Sequence, residues 1–364
     1  MSYFKTELQK VLFKRKGTLV IAIYAVISIL ILLTTSSGIN FSIEQNQDVY
    51  NAYMSRLQGP ISPEKERFLL NEKTKFETAD AQNNKALEDY LSGRIDELEF
   101  IETTNQNNKI LKSKTVFNII WEQYQYVDKH PDERYFIPVN GISAFVSLYK
   151  DRLDLIYYLL LLILITPIFC EEYESGIYPL LMSCKKGRYG LAEAKMYTAF
   201  FATGISFLVS SSIKLLCCFG RYPPCPLSYP IQSLDVFEAS PFHSSFMSLI
   251  LFALSIELIG SILFACMITL VSNLCKQTLP ALFVSFSTIL IPSVLFHNTP
   301  LKILIPSPAA FTQPLELFTG SYRETISASF YQVLPWLLCA CGILISFLLF
   351  ITSIRIFSFK RSKV

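Results

Sequence analysis

The chain has 364 residues, of which 51% are hydrophobic and only 17% charged, and its net charge is +3. Apolar residues at this density must form either a very large core or long uninterrupted runs, and here they form runs. The small net charge is the sum of a basic and a mildly acidic face. No basic stripe interleaved with aromatic residues argues for a nucleic-acid partner.

The first predicted elements are a cytoplasmic amphipathic helix over residues 1–17 and a membrane span over 18–36. Four apolar residues recur on one face of the helix, beside its cations: Phe4, Leu8, Val11 and Leu12. The uncharged run TLVIAIYAVISILILLTT is long enough to cross roughly 27 Å of hydrocarbon. A secretory signal peptide is the competing interpretation, but the run is too long for one and no clean cleavage site follows.

Residues 37–153 are too many for a connecting loop and predict a small, mainly helical domain between the first two spans. Ser62 and Pro63 form a helix start, with Ser62 as the cap and Pro63 in the first turn. The stretch VFNIIWEQYQYV predicts a helix with one apolar face: Phe117, Ile120, Trp121, Tyr124 and Val127. Two Asn-, Gln- and Lys-rich stretches are expected to be mobile tips: 82–85 and 105–109.

Five more apolar runs complete a six-span layout. The second span is predicted over 154–170, and spans three to six lie within 196–354 with outer loops at 220–244 and 297–332. Cations cluster before the first span, around 185–195 and in the basic tail 355–364. Because such cations resist translocation, both termini are expected in the cytoplasm and the domain outside. The fold class is therefore an all-α polytopic membrane protein with an extracytoplasmic domain.

The segment 171–195 breaks the helix between the second and third spans. Its acids continue the second span into water, and Gly176 and Pro179 interrupt the helix. A short helix is expected from Pro179 to about Cys184, followed by cations that suit its C-terminal end. The residues singled out are Glu171, Glu172, Gly176, Pro179, Leu180, Leu181, Lys186 and Arg188. On physical grounds alone, an ordinary interfacial loop remains an equal interpretation.

Two charges fall inside predicted spans. Lys214 lies near the outer end of the third span and is expected to snorkel to the surface. Glu257 lies near the middle of the fourth span, where a carboxylate is costly. Either it is a polar group on a transport path, or it is a structural group that bonds Ser255, Ser261 or a neighbouring span. Both interpretations stay open.

The residue pattern indicates neither a catalytic site nor a metal site. His130, His243 and His297 are scattered and lack metal-ligand spacing. The nine cysteines form no paired framework, although Cys225 could form a disulfide with Cys217 or Cys218. No phosphate-binding G-x-x-x-x-G-K-[ST] motif occurs, so this chain is expected to bind no ATP.

The segment and the layout together resemble the permease subunits of type-2 ATP-binding-cassette exporters. The motif residues are Glu172, Gly176, Leu180, Leu181 and Arg188, with Lys195 opening the next span. The layout adds the amphipathic N-terminal helix. The large domain after the first span is similar to a Gram-positive subset linked to peptide-antibiotic resistance. In that family residues 171–195 would be the coupling helix, which sits in a cleft of a separate ATPase chain.

The resemblance implies a non-enzymatic transport subunit in a bacterial plasma membrane. ATP and Mg²⁺ would be bound by the partner ATPase, and a second permease copy, identical or paralogous, would complete the assembly. An amphipathic cargo such as a peptide antibiotic or lipid-like compound would suit an apolar path. The family also implies that the region before the last span dips back into the membrane, so we expect it to pack against the spans.

Two alternatives come from other functional classes. A membrane sensor would carry ATPase motion to the outer domain without transport, and the long domain is compatible with that function. An intramembrane enzyme would need paired catalytic groups within the spans, which the sequence does not offer.

Overall fold

The computed structural model describes residues 2–34, 40–183, 187–222, 225–296, 299, 301–321 and 325–359. Within these ranges the chain is helical and contains isolated bridges but no β-strand. Its α-helices in chain order are α1 (Ser2–Gln9), α2 (Gly17–Thr34), α3 (Phe41–Gln45), α4 (Gln47–Leu57), α5 (Pro63–Leu91), α6 (Glu97–Leu111), α7 (Lys114–Asp128), α8 (Val139–Lys150), α9 (Leu155–Glu174), α10 (Tyr178–Ser183), α11 (Gly187–Gly220), α12 (Phe246–Cys275), α13 (Thr278–Leu295), α14 (Leu301–Leu304) and α15 (Ala328–Phe359).

Six of these helices are long and apolar enough to cross a membrane: α2, α9, α11, α12, α13 and α15. For the described residues, the prediction of an all-α fold with six helices able to span a membrane is confirmed. The helices α9 and α12 form the centre of the bundle, since 67% and 61% of their most apolar windows are buried, against 11% for α2. A helix that is apolar on all sides yet exposed, as α2 is, suits contact with lipid.

Contacts between connecting segments define the two ends of the bundle. At the end that carries both chain termini, the backbone N–H of Thr278 donates to Glu174 at 2.6 Å and the Tyr178 hydroxyl to the Phe357 carbonyl at 3.0 Å. At the opposite end, the Tyr126 hydroxyl donates to the Gln232 carbonyl at 2.8 Å. We call these the terminal end and the domain end.

The helices α3 to α8 form the domain between the first and second spans. Ser62 caps α5 by accepting from the backbone N–H of Lys65, and Pro63 begins the helix, as predicted. The predicted apolar face of α7 is buried except for the half-buried Trp121. It packs with α4 and α5 around a common core: Tyr50, Met54, Leu57, Leu69, Phe76, Val116, Phe117 and Ile120.

The prediction of mobile tips at 82–85 and 105–109 is wrong, because both stretches lie inside the long helices α5 and α6. Their amide side chains bond one another between the helices. Asn107 donates to Asn83 at 2.9 Å, and Asn83 donates to Asn108 at 3.3 Å. Polar composition therefore marked an amide-paired contact between two helices rather than a loop.

The N-terminal helix is shorter than predicted. The α-helix ends at Gln9, a π-helical turn covers Lys10–Lys14, and Lys16 has a positive φ of 57° before the first span begins. Phe4 meets Phe201 of α11 edge to face at 6.1 Å between ring centroids. The helix thus packs against the third span.

The region before the last span packs against the spans, as expected. Phe311, in a 3₁₀ turn over Pro308–Phe311, is fully buried between α12 and α15. Glycine is required at both contacts: a Cβ on Gly260 would lie 2.2 Å from the Phe311 Cβ, and one on Gly342 would lie 2.7 Å from its Cζ. Gly260 and Gly342 thereby leave the space that the Phe311 ring occupies between α12 and α15.

Candidate functional site

The segment between α9 and α11 is a turn and a short helix at the terminal end. Gly176 has a φ of +70°, a left-handed conformation that suits glycine, and α10 follows as Tyr178–Ser183. The predicted short helix is confirmed, with its start one residue earlier. Tyr178 is buried, and its ring centroid lies 4.3 Å from that of Tyr173, with the two rings tilted by 31°. Together with its bond to Phe357, this fixes the start of α10 against α9 and α15.

The other face of α10 is open. Leu180 is 70% exposed and Ile177, just before the helix, is 50% exposed, whereas Leu181 is half-buried against the bundle. Lys186 lies outside the described residues, as does the side chain of Arg188. Ile177 and Leu180 therefore form an exposed apolar surface at the terminal end, and Leu180 is the more exposed of the two.

A cluster of six charged residues lies beside this segment. Lys195 is fully buried in α11 and contacts Glu172 at 2.8 Å and Glu7 at 3.1 Å. Its ammonium also donates to the Ile168 carbonyl at 2.6 Å. We call the set the terminal cluster: Glu7, Lys10, Arg15, Glu171, Glu172 and Lys195.

Glu171 and Glu172 make their contacts within the chain. Lys10 lies 2.9 Å from Glu171 and 3.4 Å from Glu172, and Arg15 also contacts Glu171. Burial lowers the pKa of Arg15, whereas Glu7 and Glu172 act against that shift; a guanidinium stays charged in either case. Because Glu172 is buried, it cannot touch a partner protein, so any coupling role it has is to position the helices.

A second group of charges lies between α9, α11 and α12. The ammonium of Lys214 lies 2.5 Å from Glu257 and 3.1 Å from Asp154, which caps α9. We call Asp154, Lys214 and Glu257 the span cluster. The expectation that Lys214 snorkels is wrong: it is buried, because two carboxylates hold it inside the bundle. The contact between Glu257 in α12 and Lys214 in α11 matches the structural interpretation, in which Glu257 bonds a neighbouring span.

Tyrosines surround the span cluster. Lys214 lies 4.9 Å from the ring centre of Tyr149 and 5.7 Å from that of Tyr157, within the range of cation–π attraction. The Tyr157 hydroxyl donates to Ser261 at 2.9 Å, and Ser261 in turn donates to the Glu257 backbone carbonyl. The hydroxyl of Ser261 thus bonds the main chain of Glu257 and that of Ser255 the Leu251 carbonyl, so the predicted serine bonds to the Glu257 carboxylate are not the ones observed.

The domain is joined to the loop between α11 and α12. Arg134 donates to Glu238 at 3.0 Å and to the Tyr126 carbonyl at 2.9 Å. Burial raises the pKa of Tyr126 to about 12, so its hydroxyl keeps its proton and donates to the carbonyls of Gln232 and Leu234. These bonds connect the domain to the loop that joins α11 to α12.

Other chemistry is sparse in the described residues. No group of three or more His, Cys, Asp or Glu side chains among them could hold a metal ion. Cys217, Cys218 and Cys225 are all free thiols, so the disulfide that the sequence left open is not formed. Burial raises the pKa of the Cys225 thiol to about 12, which makes it a poor nucleophile.

Sequence reasoning missed Glu7 and Asp154. Glu7 falls between Phe4 and Leu8 on the apolar face of the first helix, and that spacing could have indicated a buried partner for a cation. Asp154 immediately precedes an apolar run, which is the position of a helix cap. Its contact with Lys214 has no local signal.

Comparison of the chain with protein-family models, with curated proteins and with solved structures finds no match.

Proposed function

We propose that this chain is the permease subunit of an ATP-driven exporter of the type-2 ATP-binding-cassette class. It would move an amphipathic or hydrophobic compound across or out of a bacterial plasma membrane. A separate ATPase chain would bind ATP and Mg²⁺, and a second permease copy would complete the assembly. The chain itself would carry out no catalysis.

The observation that carries this proposal is that α10 exposes apolar side chains while its first residue is bonded to the bundle. Leu180 in α10 and Ile177 just before it are exposed apolar residues, whereas Tyr178 between them ties the helix to the bundle. An exposed apolar tip on a fixed base suits a contact that receives force from another protein. The terminal cluster includes the end of α9, which precedes α10, and it joins α9 to α1 and α11. A force applied to α10 would therefore be transmitted to these three helices together.

A co-purification in mild detergent from the native cells tests the proposal. Leu180→Asp should abolish recovery of an ATPase that contains a phosphate-binding loop, because a carboxylate would be desolvated in the contact. Leu279→Asp is the matched control, since Leu279 is 66% exposed at the start of α13 at the same end. An ATPase retained by the wild type and the control but lost from Leu180→Asp is the expected result.

Two other results would count against it. If no ATPase accompanies the wild type even after cross-linking, the chain does not function as an ATP-driven permease subunit. If Leu180→Asp and Leu279→Asp lose the ATPase equally, α10 is not the specific contact.

A second candidate function is mechanical signalling to the domain without transport. The observation that favours it is the bonding of Tyr126 and Arg134 to residues 232–238, which would carry motion of α11 and α12 into the domain. Reconstituted vesicles distinguish the two functions. ATP-dependent changes in protease sensitivity of the domain without movement of any amphiphile would favour signalling.

A further inference from the structure

A cavity of about 310 Å³ lies between α2, α11 and the segment that joins α8 to α9. Its wall is mainly apolar and includes Ile31, Leu148 and Ile213. Small-molecule sites typically occupy roughly 300–1,000 Å³ and combine apolar walls with a few polar groups. This cavity is therefore at the small end of that range and suits a slender apolar group.

Three charged residues line the cavity, and two of them, Asp154 and Lys214, pair with each other. Both oxygens of Asp154 are engaged, one by the backbone N–H of Tyr157 at 3.1 Å and the other by Lys214. Lys214 has a second carboxylate partner in Glu257. Arg152 is half-buried, and within the described residues no ion pair or side-chain hydrogen bond engages its guanidinium. Arg152 is thus the charged residue of the wall that has no ion pair within the described residues.

The position of α2 indicates where an occupant would come from. Only 11% of its apolar window is buried, so its remaining surface suits lipid. Tyr24 and Ser28 of this helix line the cavity, which places the cavity directly behind a lipid-facing span. A molecule that enters past α2 would arrive from the bilayer with an apolar chain and a polar head.

We propose that the cavity binds an anionic amphiphile, with its alkyl chain against the apolar wall and its phosphate or carboxylate head on the Arg152 guanidinium. A guanidinium suits either head, because its planar fork of N–H donors matches two oxygens at once. The inference goes beyond the proposed function and does not depend on it, since binding is measured on this chain without an ATPase.

Native mass spectrometry of the full chain released from lipid nanodiscs tests the proposal. One arm uses equal parts of phosphatidylglycerol and phosphatidylcholine, and the other adds laurate or dodecyltrimethylammonium to phosphatidylcholine discs. Wild type should retain phosphatidylglycerol in preference to phosphatidylcholine, and laurate in preference to dodecyltrimethylammonium. Retention of phosphatidylglycerol alone identifies a membrane lipid as the occupant, and retention of laurate identifies a free single-chain amphiphile; either supports the proposal.

Paired variants make the result specific to the cavity. Arg152→Gln should weaken retention about tenfold or more, because a charge-assisted hydrogen bond is lost, whereas Arg152→Lys should retain most of it. Ser28→Phe should fill the cavity and block binding. Val26→Phe places the same ring on the exposed face of α2 and should bind as wild type does.

Equal retention of anionic and cationic amphiphiles by wild type would overturn the proposal, as would wild-type retention by Arg152→Gln or by Ser28→Phe. Arg221→Gln controls for loss of a cation at the domain end, because Arg221 is already paired with Glu44. If Arg152→Gln fails to fold, the comparison of Ser28→Phe with Val26→Phe decides the outcome.

Discussion

The terminal cluster and the span cluster use the same chemistry, but their charges balance differently. The terminal cluster joins three cations to three carboxylates, and each carboxylate has a cation within reach. In the span cluster, by contrast, one lysine faces two carboxylates. A charge-balanced cluster is expected to resist change, whereas an unbalanced one is held less strongly, because its two carboxylates share one cation.

The same difference separates the mechanical roles of the two regions. The terminal cluster connects α1, α9 and α11 beside the exposed helix α10, so it is suited to keep these helices together under load. The span cluster lies between α9, α11 and α12, next to the cavity that Arg152 lines. It is suited to respond to what enters the bundle. The following predictions test this contrast, beginning with the largest expected effect.

The largest effect is expected for Lys195→Met. The variant leaves Glu7 and Glu172 buried without their central cation, and breaking a buried pair in this way typically costs about 3–5 kcal/mol. Unfolding by sodium dodecyl sulfate in mixed micelles, followed by circular dichroism, measures the loss in free energy of unfolding. Lys75→Met is the control, because Lys75 is exposed and its pair with Glu72 should contribute no more than about 1 kcal/mol. Similar losses in both variants would contradict a structural role for the cluster.

A smaller effect is expected for Lys214→Met, about 2–3 kcal/mol, although it also removes the only cation from a buried cluster. Asp154 is partly exposed and keeps its bond to the α9 backbone, so Glu257 is the one carboxylate that is left buried without its cation. The double variant Lys214→Met/Glu257→Gln should therefore recover most of the lost stability in the same unfolding measurement. A double variant no more stable than Lys214→Met would show that Glu257 is not the source of the cost.

Much of the architecture could be predicted from the sequence because its signals are local. Uncharged apolar runs identify the spans, Ser62 and Pro63 identify a helix start, and the spacing of Phe117, Ile120 and Tyr124 identifies a buried helix face. Gly176 identifies the break between α9 and α10, and Pro179 identifies the first turn of α10. Each of these depends on residues within a few turns of one another.

The clusters could not be predicted in the same way, because their members are far apart in the chain. Asp154, Lys214 and Glu257 come together only when three helices pack, and nothing near Lys214 distinguishes a buried lysine from one that snorkels. The Asn-rich stretches of α5 and α6 show the same limit. Their composition is typical of mobile loops, but amide pairing between two helices accounts for it equally well.

The closest test of the comparison applies one substitution, Glu→Gln, to both clusters. Glu172→Gln leaves three cations facing two carboxylates and weakens the contacts of Lys195 and Lys10, so it should cost about 2 kcal/mol. Glu257→Gln leaves Lys214 matched one to one with Asp154, so its cost should stay below about 1 kcal/mol. Both substitutions keep the side-chain shape, and both residues are buried, which removes size and exposure as explanations.

Two measurements on this pair separate stability from function. In unfolding experiments the Glu172 variant should be the less stable, and equal losses would show that charge balance does not distinguish the clusters. In vesicles reconstituted with the proposed partner ATPase, Glu257→Gln should impair the proposed export of an amphiphile although the variant assembles normally. Full export by Glu257→Gln would remove the span cluster from the transport path, and its imbalance would then be a structural feature without mechanistic consequence.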